Sequence, residues 1–129
     1  MKIMVVDDSQ TMVRILSTAA KKAIKDVEVF PCYNGEEAFN CINANKDIKL
    51  ILLDVNMPVM SGKEFLIKLR ENSEFDDVKV IMQTTETAKA EIKEMMGLGI
   101  SGYLMKPYQT KRVMDLMTQL APIVGYELI

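Results

Sequence analysis

The stretch LILLDVNMP, Leu50 to Pro58, runs four aliphatic residues straight into an aspartate. An unbroken apolar run of that length, followed by turn formers, reads as a strand buried on both faces of a parallel sheet. Asp54 then stands at the strand's C-terminal lip. In an open α/β sheet that lip is where ligands bind, because helices cover the faces and the crevice beyond the strand ends stays open.

Outward from this strand, the hydrophobic period switches repeatedly between strand and helix. Ile3 to Val6 is a short buried strand, after which Met12, Ile15, Leu16, Ala19, Ala20 and Ala23 recur at helical spacing. Val27 to Cys32 reads as a second strand, and Pro31 within it favours an edge position or the strand's end. Asn34 with Glu37 caps a helix through Ala38, Phe39 and Ile42. Beyond Leu50 to Leu53, Ser61-Gly62-Lys63-Glu64 is a capping box before the Phe65, Leu66, Leu69 face. Val78 to Met82 is the fourth strand, and a helix carrying Ile92, Met95 and Met96 follows and stops at Gly97. Tyr103 to Met105 is the fifth strand, and a last helix runs from about Gln109 to Leu120, where Pro122 stands against its continuation. Periodicity assigns nothing to Ile123–Ile129. Strands alternating with helices in this way predict a doubly wound α/β fold, a five-stranded parallel sheet with five helices, as one domain over residues 1–129.

Composition narrows the function. At 129 residues, 49% hydrophobic, 26% charged and with a formal net charge of -2, the chain has the profile of a soluble globular domain. A slightly acidic chain without a basic run cannot neutralise phosphates, so nucleic acid is not an expected partner. Met1 to Val6 meets Asp7 and Asp8 too soon for a signal peptide or a membrane span, which points to a cytoplasmic protein with no membrane partner. Cys32 and Cys41 have no CxxC spacing and the chain has no histidine, so zinc and Cys-His chemistry are excluded and both thiols read as buried core. GLGISG, Gly97 to Gly102, spells the dinucleotide fingerprint GxGxxG. Its context is wrong, since these glycines close a helix and lead into a strand instead of the reverse.

A parallel sheet gathers distant side chains at its C-terminal end: Asp7 and Asp8 from strand one, Asp54 from strand three, Thr84 and Thr85 from strand four, Lys106 from strand five. Three carboxylates packed together need protons or a cation. A hard divalent ion that keeps part of its water shell, Mg2+, fits such oxygen ligands and can hold a phosphate as well. Asp54 is then the candidate nucleophile for an aspartyl phosphate, with Lys106 and a threonine hydroxyl stabilising the equatorial oxygens. Singly, each residue has a plainer reading. Asp7-Asp8 suits a helix N-terminus, Asp54 a turn, and Lys106 a solvated loop. Their coincidence at the ends of alternating strands is what points to a site.

The runs VVDDS (Val5 to Ser9) and LLDVNMPVMSG (Leu52 to Gly62), Thr84 at the end of strand four, and Lys106-Pro107 together resemble the receiver domain of bacterial two-component response regulators, over nearly the whole chain to about Leu120. The resemblance implies strand order 2-1-3-4-5, with which an edge position for Pro31 agrees. It implies that Asp54 accepts a phosphoryl group from a histidine kinase. Asp8, Asp54 and the backbone carbonyl of Asn56 would ligate Mg2+, with Asp7 assisting through water. Lys106 would contact the phosphoryl oxygen, before a bond to Pro107 that is usually cis in the family. Thr84 would be the switch hydroxyl and Tyr103 the switch aromatic, whose movement reshapes the face of helix four, strand five and helix five.

Within the family the chain is most similar to stand-alone chemotaxis receivers, by Asn56, Glu86 and Tyr103, and Asn56 and Glu86 would tune dephosphorylation. That likeness implies a switch rather than an enzyme. It would act as a monomer with no output domain, with a flagellar motor switch protein or another protein as target and a phosphatase as a further partner. Gln83 and Thr85 depart from the chemotaxis member, which has Val and Ala there, and Ser9 departs from its Phe. Val113, Leu116, Met117 and Leu120 suffice for the core stripe of the last helix. Met114 is therefore assigned, with Ile92 and Tyr103, to the rim of the partner face, or else to packing against the tail.

Other readings stay open. A flavodoxin-like electron carrier shares the topology but wants a phosphate cradle where Asp7-Asp8 stands, and a dehalogenase-type aspartyl-phosphate hydrolase wants Asp at position 56, which is Asn. Within the receiver family, a phosphorelay intermediate and the receiver of a larger transcriptional regulator are the alternatives.

Overall fold

The computed structural model describes residues 1–85 and 89–129. Five strands, β1 (Lys2–Val6), β2 (Glu28–Cys32), β3 (Leu50–Asp54), β4 (Lys79–Thr84) and β5 (Gly102–Met105), form one parallel sheet in the order β2-β1-β3-β4-β5. The helices are α1 (Gln10–Ala23), α2 (Gly35–Ala44), α3 (Gly62–Glu71), α4 (Lys89–Met96) and α5 (Thr110–Leu120). Among the described residues none is long and apolar enough to cross a membrane.

Alternation along the strands builds two cores. Ile3, Val5, Leu50, Leu52, Ile81 and Leu104 pack beneath α1 and α5. Met4, Val6, Ile51, Leu53, Val80 and Met82 pack beneath α2, α3 and α4. Every residue of β3 is buried, as the apolar run requires of a central strand. β2 is an edge, and its geometry explains Pro31. The amide of Glu28 bonds to Met1 and the carbonyl of Cys32 to Asp7, so the even residues of β2 face β1. Pro31 lies between them, with its missing donor on the open side.

Caps start the helices at the expected places. Asn34 accepts from Glu37 N at 2.8 Å and Ser61 from Glu64 N at 3.1 Å, while Ser9 caps α1 by accepting from Met12 N at 3.3 Å. α1 differs from the expected stripe, because Val13 faces the core and Ile15 is exposed. Apolar residues stand on both sides of that stripe, so periodicity alone could not choose. Cys41 is half-buried, not a core thiol like Cys32.

The tail, to which periodicity assigns nothing, is ordered. Pro122 opens a 3-10 helix, Ala121–Val124, where its missing amide leaves no bond unmade. Gly125 then turns the chain at φ +84, Leu128 bridges to Ile24, and Tyr126 is buried. The Tyr126 hydroxyl accepts from the amides of Lys49 (3.1 Å) and Lys2 (3.3 Å) and donates to the Lys2 carbonyl. At the same N-terminal end of the sheet, the Arg70 guanidinium donates to the carbonyls of Phe75, Val78, Leu98 and Gly99 at 2.8–3.0 Å.

Candidate functional site

The sheet changes direction between β1 and β3, and the crevice beyond their C-terminal ends holds the acidic residues. Asp7 and Asp54 are buried and Asp8 is exposed, and their carboxylates each offer an oxygen within 4.8 Å of the others. Lys106 Nζ reaches in from the loop after β5, 3.4 Å from Asp54 Oδ1 and 3.5 Å from Asp7 Oδ2. The Lys106–Pro107 bond is cis. Asp7 Oδ1 accepts from the Ser9 amide at 2.9 Å, which fixes the carboxylate's orientation.

The Asp54 backbone is held by α3. Gly62 N donates to Val55 O at 2.8 Å, and a Cβ on Gly62 would stand 1.9 Å from the Asp54 carbonyl oxygen. Only glycine permits that approach. Close by, Val59 has φ +67 and is 74% exposed, a strained conformation for a β-branched residue.

Burial pushes the Asp54 carboxyl up to about 6, and the neighbouring Asp7 charge adds to the rise while Lys106 opposes it. Asp7 Oδ2 is buried with no hydrogen-bond partner among the described residues. One ammonium against three carboxylates leaves this pocket negative, and its all-oxygen donor set fits a hard divalent cation. Asn56, exposed two residues beyond Asp54, lies on the loop that rims the pocket.

Thr84 ends β4, fully buried, with its hydroxyl donating to Thr85 O at 3.2 Å. Its carbonyl accepts from Lys106 N at 2.7 Å, so β4 and the lysine loop are tied together there. Tyr103, on β5, is 37% exposed. Glu86 lies outside the described residues.

The partner rim needs correction. Ile92 is 7% exposed and packs with Met95 beneath α4, and Met96 is the apolar side chain that faces out. The three-residue spacing of Ile92 and Met95 puts both on the core side. Met114 is half-buried and packs against the core beneath α1 and α5, with part of it left at the surface. Of the three, Tyr103 is the exposed one. Sequence reading also passed over Tyr108, whose hydroxyl donates to Gln83 Oε1 at 2.5 Å. Its nearness to Lys106 was the one available signal.

A family model described as the response regulator receiver domain matches residues 3–118. The chain belongs to the response regulator receiver family. This receiver is 38% identical over 108 residues to a chemotaxis protein CheY homolog of Campylobacter jejuni, covering 84% of this chain and 82% of that protein. It is 39% identical over 109 residues to chemotaxis protein CheY1 of Helicobacter pylori, covering 84% and 86%. Among solved structures it superposes on chemotaxis protein CheY4 of Vibrio cholerae with a TM-score of 0.80 at 30% identity, over 92% of this chain and 96% of that one. The receiver is thus of the CheY type, a component of two-component signalling, and its strand order is that of those relatives.

Proposed function

We propose that the receiver is a phosphorylation-activated switch in which Asp54 accepts a phosphoryl group from the phosphohistidine of a histidine kinase. An Asp54 carboxylate oxygen attacks phosphorus, the P–N bond breaks as the P–O bond forms, and the departing imidazole nitrogen keeps the electron pair and takes a proton. The observation that carries this reading is the enclosure of Asp54 with Asp7, Asp8 and Lys106 in one pocket at the sheet's switch point. Mg2+, held by Asp8, Asp54 and the Asn56 carbonyl with Asp7 behind, would supply charge neutralisation for the incoming phosphoryl oxygens. Asp54 is ionised at neutral pH despite its raised pKa, so it is ready as a nucleophile. Lys106 already spans Asp7 and Asp54 and needs to move little to meet a phosphoryl oxygen.

The output follows from new negative charge beside β4. The Thr84 hydroxyl turns from Thr85 toward the phosphoryl group, Tyr103 leaves its exposed position for the space vacated, and the face of α4, β5 and α5 changes shape. The likeness to chemotaxis relatives supports a flagellar motor switch protein as target, and hydrolysis of the aspartyl phosphate by water, with or without a phosphatase, as reset. The chain turns over nothing but its own phosphoryl group, and it works in the cytoplasm with its kinase.

Intact mass after incubation with acetyl phosphate tests the reading. One phosphoryl adduct that requires Mg2+ and is absent from Asp54→Asn is the expected result. An adduct that persists in the variant, or none in either chain, overturns it.

A further inference from the structure

The row of side chains that carries the acceptor continues past it. β3 pairs with β4 with Asp54 opposite Gln83, and β1 pairs with β3 with Val6 opposite Leu53, so Asp7, Asp54 and Gln83 are successive rungs on three neighbouring strands. Alternation sends all three side chains to one face, since Val5, Leu52 and Ile81, two residues earlier on each strand, share the core beneath α1 and α5. Neighbouring strands lie about 4.8 Å apart, so the Gln83 side chain leaves the sheet next to that of Asp54.

Gln83 is fully buried, where an apolar residue would pack at no polar cost. Its Oε1 accepts from Tyr108, while its Nε2 has no partner among the described residues. Native proteins pair buried amides, and exceptions call for an explanation in function. The Tyr108 hydroxyl donates to the amide oxygen, which leaves the amide NH2 turned away from the tyrosine. The group that appears beside it on phosphorylation is an acceptor with three charged oxygens.

We propose that the Gln83 NH2 is a phosphoryl-binding donor, unpaired in the resting receiver and oriented by Tyr108, that bonds an oxygen of the phosphoryl group once Asp54 carries it. The inference rests on Asp54 being the acceptor. Tyr108 is its positioning residue. The pair also ties the lysine loop to β4 at the residue before the switch threonine, so occupancy of Asp54 is felt on both sides of Thr84.

The test compares the full chain with Gln83→Met, which keeps the shape and removes the amide, with Gln83→Glu, which replaces the NH2 by oxygen, and with Tyr108→Phe. Each is titrated with acetyl phosphate in Mg2+, the steady-state adduct read by intact mass, and thermal unfolding measured without donor. The concentration giving half-maximal adduct is expected to rise about tenfold in Gln83→Met, as for a lost bond to a charged group, more in Gln83→Glu, and less in Tyr108→Phe. The double variant Gln83→Met/Tyr108→Phe is expected to unfold no earlier than the parent, because it removes both members of an incompletely bonded pair. An unchanged half-maximal concentration in Gln83→Met and Tyr108→Phe, or a lowered unfolding temperature as the sole effect, overturns the inference and leaves the acceptor reading intact. No adduct on the parent chain overturns both.

Discussion

At the N-terminal end of the sheet, one tyrosine hydroxyl and one guanidinium satisfy backbone groups drawn from β1 and the approaches to β3, β4 and β5. At the C-terminal end, Asp7 Oδ2 and Gln83 Nε2 lack hydrogen-bond partners among the described residues, three carboxylates crowd one lysine, and Val59 sits at positive φ. The same five strands run through both ends. Among the described residues, buried polar side chains are thus satisfied where the fold is held and left open where a ligand is to be received. Substitutions should then divide by end: those at the lower end destabilise and leave phosphorylation alone, and those at the upper end do the reverse.

The largest expected effect tests whether that division holds at its weakest point. Gly62→Ala stands at the upper end yet should lower stability, by about 3 kcal/mol, because its Cβ would lie inside the Asp54 carbonyl contact, and it should also slow adduct formation by displacing Asp54. Urea unfolding and intact mass on the same sample measure both. If stability and phosphorylation are both unchanged, α3 does not position the acceptor.

Next comes the metal-free pH dependence. Asp54 has a folded pKa of about 6, above its unfolded value, so its contribution is fully present below about pH 4 and is lost as pH rises through 6. Asp54→Asn should match the parent at low pH and exceed it by about 2–3 kcal/mol above pH 6, as read from paired unfolding curves. Mg2+ should narrow the gap. Equal stability across the range would mean that the carboxylate pays no penalty in its pocket.

Tyr126→Phe sharpens the comparison from the lower end. Losing the hydroxyl leaves the Lys2 and Lys49 backbone groups unbonded, at about 2 kcal/mol, with the acetyl phosphate titration unmoved. The smallest effect belongs to Val59→Asn, which relieves positive φ and should raise stability by about 1 kcal/mol, visible as a few degrees in thermal unfolding.

How far these features were legible in the sequence follows from the range of the interactions involved. The apolar run into Asp54, the caps at Asn34 and Ser61 and the stripe of α5 are local patterns, and the structure repeats them. The acidic pocket was legible too, because a parallel sheet brings strand ends together whatever lies between them. Tyr126 was not, since its bonds span the chain from Lys2 and no period marks it. The same holds for Tyr108 and Gln83, 25 residues apart and joined by a single contact. Val59 gave no signal because positive φ is usually announced by glycine or asparagine. Ile92 was misplaced because α4 has apolar residues on more than one side, and only packing decides among them.

Pro31 has a consequence away from both ends. Along the open margin of β2 the outward positions are Val29 and Pro31, and the second has no hydrogen to offer. Another strand arriving there would find a five-residue template with a gap in it, too short and too poor in donors to zip onto. One imino acid thus weakens this margin as a template for strand addition, at a position where its ring disturbs none of the bonds that keep β2 on the sheet.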